Sequence, residues 1–157
     1  MKQRRVPVVP SFATFAAFVA LATLLGLCTP LGAQAQDAQD TRFDCKSNPH
    51  EFISSLIDEK SIDPSPSRVE ANSVNAFRPV HGSRLSAFGF PIYVVLGYAR
   101  DDTLFHRGAG KEIKAPLYGV VVSAPADSVR SRVSEANSDA TVKSVVPLLL
   151  TAIVCGG

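Results

Sequence analysis

The stretch LYGVVVSAPADSVRSRVSEANSDATVKSVVPLLLTAIVC, residues Leu117 to Cys155, decides the fold class. It begins with a β-branched run, Leu117 to Val122, that predicts a strand. A helix is predicted from Ala126 to Ala136, because valines recur there at helical spacing. Two strand candidates follow, on either side of a proline that breaks or bulges the pattern: Thr141 to Val146 and Leu149 to Cys155. The strand-helix-strand order allows a parallel crossover between the first and last strands of the stretch.

The residues before this stretch predict a second helix and further strands. Asn48, Pro49 and Glu51 are typical of a helix start, with a capping side chain, a proline in the first turn and an acid three residues after the cap. Extended segments are predicted at Val69 to Phe77 and Phe90 to Tyr98. The whole order predicts one small α+β two-layer domain, with a mostly antiparallel sheet of about four to five strands and two helices.

Residues 1 to 35 have the three parts of a removable export signal. A positive start is followed by an apolar segment, and the small-residue site Ala33-Gln34-Ala35 predicts cleavage after Ala35. The expected location is therefore the periplasm or the exterior of a bacterium. The basic residues of the start are Lys2, Arg4 and Arg5.

Two other interpretations of the same segment stay open. The uncharged stretch from Val6 to Ala33 is long enough to be an uncleaved membrane anchor. Cys28 follows an apolar run, as the acylated cysteine of a bacterial lipoprotein does, but the bulky Leu27 before it fits such a site poorly.

Removal of the signal changes the charge balance. Three of the 16 basic residues and none of the 14 acidic residues lie in residues 1 to 35, which leaves 13 against 14 and a formal charge near −1. Neither nucleic acid nor an anionic membrane is predicted as a partner, and no stable membrane insertion is expected after cleavage. About 120 residues remain, enough for one domain at residues 45 to 157 behind a flexible leader at residues 36 to 44.

Cleavage would leave two cysteines, Cys45 and Cys155. In an oxidising compartment they predict one disulfide across the domain, and the alternative is a pair of free thiols. In the chain-entropy description, closing a loop of about 110 residues stabilises a fold by roughly 4 to 5 kcal/mol.

The segment RGAGK, Arg107 to Lys111, resembles a phosphate-binding loop only superficially. A P-loop needs glycine where Phe105 stands and serine or threonine where Glu112 stands. A dinucleotide-binding motif would need a third glycine and a strong helix after it. The segment therefore predicts an exposed glycine-rich loop, and no cofactor is expected.

The three histidines, His50, His81 and His106, lie in a helix start and two loops. No paired His or Cys-x-x-Cys spacing occurs, so no metal site is predicted. No G-x-S-x-G motif occurs, so no catalytic residue is predicted. A small hydrolase stays open, because a triad forms from distant residues. It would need a pocket in which His81 or His106 meets a serine or carboxylate at hydrogen-bond distance.

Two loop segments carry the residues predicted to bind a protein partner. In Arg78 to Phe90, aromatic residues stand beside arginines, as in interface hot spots. In Arg100 to Lys114, the adjacent acids Asp101 and Asp102 are typical of a turn and are too few for a calcium loop. The candidates are Arg78, Arg84, Phe88, Phe90, Arg100, Asp101, Asp102, Arg107 and Lys111.

Several segments follow one another in a characteristic order. After the early cysteine and short helix come Ser73 to Pro79 (SVNAFRP), Phe88 to Pro91 (FGFP), the Gly-Ala-Gly loop and Thr151 to Cys155 (TAIVC). This order resembles small periplasmic immunity proteins that neutralise type VI secretion lipase effectors. The resemblance implies a non-enzymatic inhibitor that occludes the active site of a toxin. A small exported hydrolase and an envelope-maintenance protein are the alternative functions.

Overall fold

A computed structural model gives the structure of the chain and describes residues 43–157. The predicted export signal and residues 36–42 of the predicted leader lie outside the described residues. The described part contains two helices and seven strands, which are α1 (Pro49–Asp58), α2 (Ala126–Glu135), β1 (Arg68–Val69), β2 (Asn75–Phe77), β3 (Ser86–Ala87), β4 (Phe90–Tyr98), β5 (Leu117–Val122), β6 (Thr141–Val146) and β7 (Leu150–Gly156). None of its helices is long and apolar enough to cross a membrane.

The strands form one antiparallel sheet in the order β1-β2-β4-β5-β7-β6, with β3 paired to β4 outside this path. The α+β class is confirmed, but seven strands replace the expected four to five. One reason lies between Val69 and Phe77, which were predicted as one strand. The chain turns there at Ser73, whose φ is 71°, and β1 and β2 pair as a hairpin.

The predicted parallel crossover between β5 and β7 is wrong. These strands pair antiparallel, with Leu117 opposite Gly156 and Val122 opposite Thr151. After α2 the chain enters β6 at the edge of the sheet, turns at Pro147, and returns as β7 between β6 and β5. β5 and β6 are both antiparallel to β7, so they are parallel to each other with β7 between them. A register shift between Ser144 and Val146 gives β6 the irregularity expected near the proline.

The helix starts and the long strands lie where the sequence predicts them. The side chain of Asn48 accepts a hydrogen bond from the backbone N–H of Glu51 at 2.9 Å and caps α1. The second helix ends at Glu135, one residue earlier than predicted. Asn137, with a φ of 51°, turns the chain away from it.

Both helices pack on the same face of the sheet, which we call the helix face. The predicted disulfide between Cys45 and Cys155 is present and joins the residues just before α1 to β7, with 5.1 Å between the Cα atoms. Phe43, assigned to the leader, is buried against the rings of Phe52 and Phe88. The packed domain therefore includes residues before Cys45. The fully buried sheet residues of this core are Phe77, Ala87, Val95, Val120, Val122 and Ile153.

Candidate functional site

The sheet has a second face, which neither helix covers; we call it the open face. Side chains alternate along a strand, so the neighbours of the buried core residues point to this side. They line an open groove of about 1090 Å³. The apolar lining residues of the central strands are Ile92, Tyr93, Val94, Leu96, Val121, Leu150 and Ala152.

The register places these apolar residues in contact across the sheet. Val94 lies opposite Val121, which in turn lies opposite Ala152. On the next row, Leu96 lies opposite Ala76 of β2. Directly opposed side chains on one face are close enough to pack. The floor of the groove is therefore a continuous apolar surface.

A basic side chain stands at one end of this floor. Arg78 follows Ala76 on the same side of its strand, is exposed, and makes no ion pair with any described residue. Arg68 also lines the groove, but its guanidinium lies 2.8 Å from the carboxylate of Glu70. At this end of the floor, Arg78 is thus the positive charge that no carboxylate balances.

The turn between β6 and β7 exposes a group of apolar side chains, the hairpin tip, residues 145–149. The exposed fractions are 53% for Val145, 39% for Val146, 79% for Leu148 and 65% for Leu149. In residues 43–157 the one other exposed large hydrophobic residue is Tyr93, which lines the groove. Val145 and the adjacent Leu150 also line it, so the hairpin tip continues the open face.

A second, polar cluster lies at the loop end of the sheet, around a small cavity of about 190 Å³. Its centre is Glu112, whose carboxylate accepts a hydrogen bond from Arg107 at 2.6 Å and one from the Tyr98 hydroxyl at 3.2 Å. Arg100 lies 3.7 Å away. The hydrogen bond from Arg107 is the main cause that lowers the pKa of Glu112, and the same bond raises the pKa of Arg107.

A histidine in the first turn of α1, His50, contacts Asp102 of the cavity lining. Its Nδ1 lies 2.9 Å from Oδ2 of Asp102, while Oδ1 of Asp102 accepts a hydrogen bond from the backbone N–H of Leu104 at 2.9 Å. The pair ties α1 to the loop after β4. No described serine or cysteine side chain hydrogen-bonds to His50, so the pair has no nucleophile.

The glycine-rich loop binds the β1–β2 turn through its backbone. Gly110 donates its N–H to the carbonyl of Ala71 at 2.8 Å, and Gly108 donates to the Ser73 hydroxyl at 3.0 Å. A Cβ on Gly108 would lie 2.0 Å from the carbonyl oxygen of Glu70, so a side chain has no room there. The two N–H groups are already used within the protein. The glycines thus allow the close packing of this loop on the β1–β2 turn.

Five of the nine predicted partner-binding residues line the open groove or the loop-end cavity. Arg78 lies at the open face, whereas Arg100, Asp101, Asp102 and Arg107 line the loop-end cavity. Arg84 and Lys111 are exposed, and Phe90 is half-buried.

Phe88 does not belong to the surface, although an exposed aromatic residue was expected there. Its φ of 51°, followed by 80° at Gly89, turns the ring inward, and it lies in the core 5.7 Å from the ring of Phe43. It is therefore unavailable to a partner.

The hydrolase alternative needs His81 or His106 beside a serine or carboxylate. Within residues 43–157, neither histidine side chain makes such a hydrogen bond. His81 lines the open groove and His106 the loop-end cavity. Over the same residues, no group of three or more His, Cys, Asp or Glu side chains is arranged to hold a metal ion.

Sequence reasoning missed the open face and the hairpin tip. A signal for the open face exists in β4 and β5, where IYVVL and LYGVVV are apolar at successive positions. An antiparallel strand with one solvated face would alternate apolar and polar residues. Comparison of the chain with protein-family models, with curated proteins and with solved structures gave no match.

Proposed function

We propose that the chain is an exported bacterial protein that binds and inhibits a protein partner in the periplasm. The open face carries this proposal. It is a wide groove with an apolar floor and a polar border, on a sheet that two helices cover on the other side and that a disulfide joins to the residues before α1. Val121 and Ala152 of its floor are buried among their neighbours, whereas Tyr93 and the hairpin tip expose large apolar side chains. An exposed apolar patch of this kind is typical of an interaction site.

The proposed partner is a lipase toxin delivered by a type VI secretion system, and the chain is its immunity protein. The order of segments in the sequence supports this family, as does a stable fold that presents a preformed surface. Such an inhibitor needs no catalytic group of its own.

The test measures whether the chain binds the toxin and protects cells from it. The gene is co-expressed with a neighbouring gene that encodes an exported lipase, and cell survival, lipase activity and the size of the purified complex are measured. A stoichiometric complex with suppressed lipase activity is expected. Survival that does not depend on this chain, together with no complex, would contradict the proposal.

Export is tested on the same preparation. The mass of the periplasmic protein should correspond to a chain that begins at Gln36, and reduction should add two hydrogens for one disulfide. A mass that includes residues 1 to 35, or a lipid on Cys28, would contradict cleavage after Ala35.

A small hydrolase is the second candidate; the pair of His50 and Asp102 supplies the histidine and carboxylate of such a site, but no described nucleophile joins them. A carboxylate that orients a histidine is part of many hydrolase sites. The test compares hydrolysis of short-chain and long-chain p-nitrophenyl esters by the wild type and by His50→Gln. Turnover lost in the variant would support an enzyme. If the wild type and His50→Gln both hydrolyse the esters no faster than buffer does, the hydrolase is excluded.

A further inference from the structure

We propose that the open face and the hairpin tip form one docking surface for an apolar protein segment flanked by carboxylates. The inference rests on the proposed function, because it names the surface of this chain that the partner contacts and the kinds of side chain that the partner presents to it. The loop-end cluster is outside this surface.

The first argument is the double-sided apolar character of the central strands. Val95 and Val120 are fully buried against the helices. Val94 and Val121, one residue away on each strand, line the groove on the opposite side. A strand that is apolar on both sides is typical of a sheet that is covered on both sides. Within residues 43–157 no helix covers the open side. Val121 is buried there by its neighbours, but Val94 is only half-buried and Tyr93 is 61% exposed, so an external segment would bury further apolar surface.

The second argument is the continuity of the exposed apolar residues. Val145 belongs both to the groove lining and to the hairpin tip, and Leu148 extends the same surface with 79% of its side chain exposed. β6 is also an edge strand, with β7 on one side and no described strand on the other. Its outer backbone groups could pair with an extended segment that runs beside β6, next to the hairpin tip.

The third argument is charge. Arg78 lines the groove, and Lys143, which is not part of the lining, lies directly opposite the lining residue Ala152 in the β6–β7 register. Neither makes an ion pair with a described residue. The acidic residue of the groove lining, Glu70, is already paired with Arg68. The surface therefore offers two unpaired cations and an apolar floor.

The charge pattern also argues against a second copy of this chain as the occupant. A copy laid on the groove would bring Arg78 and Lys143 to a surface whose carboxylate, Glu70, is already engaged. Like charges across an interface are unfavourable, whereas carboxylates at the ends of an apolar segment would pair with both cations. The occupant is a different protein.

The experiment selects random 12-residue peptides displayed on phage against the exported chain. The best peptide is then labelled and its Kd is measured by fluorescence anisotropy. Selected peptides should combine apolar residues with Asp or Glu, and replacing those acids by Asn or Gln should weaken binding by about tenfold. Peptides without acidic residues, or with basic ones, would overturn the proposal.

Two surface variants locate the binding site. Arg78→Glu and Leu148→Ser change exposed side chains and should each weaken peptide binding by about tenfold while leaving the thermal midpoint unchanged. The control is Arg132→Glu, which changes an exposed arginine on α2, on the helix side of the sheet, and should leave Kd unchanged. Equal binding by all variants would overturn the proposal.

Two further measurements test whether the docking surface has a different occupant. A chain that sediments as a dimer, and dissociates in Leu148→Ser, would show that the occupant is a second copy. Binding to vesicles of phosphatidylcholine and phosphatidylglycerol, with no peptide selected, would show a lipid surface. Either result overturns the proposal of an acidic protein segment.

A further experiment distinguishes an error in the docking surface from an error in the proposed function. Complex formation with the neighbouring lipase is measured for the same variants. If the wild type inhibits the lipase and Arg78→Glu with Leu148→Ser inhibits it equally well, the docking surface is wrong and the function stands. If acidic peptides bind as expected but the lipase is neither bound nor inhibited, the surface stands and the function is wrong.

Discussion

The side chain of Asn75 makes two hydrogen bonds with the backbone of His106, each 2.9 Å long. Its nitrogen donates to the His106 carbonyl, and its oxygen accepts the His106 N–H. The same nitrogen donates to the carbonyl of Ser73 at 2.8 Å. Asn75 is fully buried in β2. A single amide thus holds the loop between β4 and β5 against β2, in the way a strand neighbour would.

We expect Asn75→Ala to lower the free energy of unfolding by roughly 2 kcal/mol, because two backbone groups of His106 lose their partner. Urea denaturation measures the change. The control is Asn72→Ala in the same turn, where an exposed side chain accepts one bond from Val74 at 3.3 Å. It should cost less than about 0.5 kcal/mol. Equal losses in the two variants would show that the buried amide has no special role.

The ion pair of Glu112 and Arg107 predicts a dependence of stability on pH. The folded pKa of Glu112 is lowered, chiefly by the Arg107 hydrogen bond, so folding favours the carboxylate. Its contribution is present above the unfolded pKa, near 4.5, and is lost as the pH falls through the lower folded pKa.

Glu112→Gln removes this dependence. The difference in unfolding free energy between wild type and Glu112→Gln should be largest near neutral pH and should shrink as the pH falls below about 4.5. Arg107→Gln removes the main cause of the pKa shift and should flatten the profile in the same way. A difference that stays constant from neutral to acidic pH would contradict this assignment.

The sequence predicts the long elements well, because their local signals agree with their burial. β4 and β5 have the predicted ends, since β-branched and aromatic residues are bounded there by turn residues. The turn at Ser73 was missed because serine has no strong preference for the left-handed conformation it adopts there. Local sequence patterns also do not predict the order β5-β7-β6. The hairpin at Pro147 places β7 between β5 and β6 and leaves β6 at the edge of the sheet.

The candidate site was only partly predictable for a related reason. Charged loop residues such as Arg78 and Lys111 are exposed as expected, since burial of an unpaired charge is costly. Phe88 was misplaced, because a turn beside glycine directs its ring inward. The periodicity of β4 indicates apolar residues on both faces. It does not say which face the two helices leave uncovered.

The disulfide between Cys45 and Cys155 should contribute a large share of the stability. The bonded residues are 110 positions apart, so the bond restricts most of the unfolded chain. The double variant Cys45→Ser with Cys155→Ser should lose about 4 to 5 kcal/mol of unfolding free energy. Urea denaturation of oxidised wild type, reduced wild type and the variant tests this. Reductant should not affect the variant, and a loss below about 1 kcal/mol would contradict the expected constraint.

Tyr118 has a buried hydroxyl whose removal should not lower the free energy of unfolding. Its ring packs 4.6 Å from that of Phe52, and burial raises the pKa of its hydroxyl. The backbone of Ser47 approaches the hydroxyl, but no hydrogen bond of acceptable geometry forms with any described residue. A buried hydroxyl without a partner is destabilising, whereas the ring is favourable.

Tyr118→Phe should therefore be neutral or more stable by up to about 1 kcal/mol at neutral pH. The advantage should grow above about pH 10, because the unfolded tyrosine then ionises before the folded one and wild-type stability falls as the pH rises. The control is Tyr98→Phe, which loses a hydrogen bond to Glu112 and should be slightly destabilised. Urea denaturation at neutral and alkaline pH compares the three proteins. A clear loss in Tyr118→Phe would show that the hydroxyl has a partner after all.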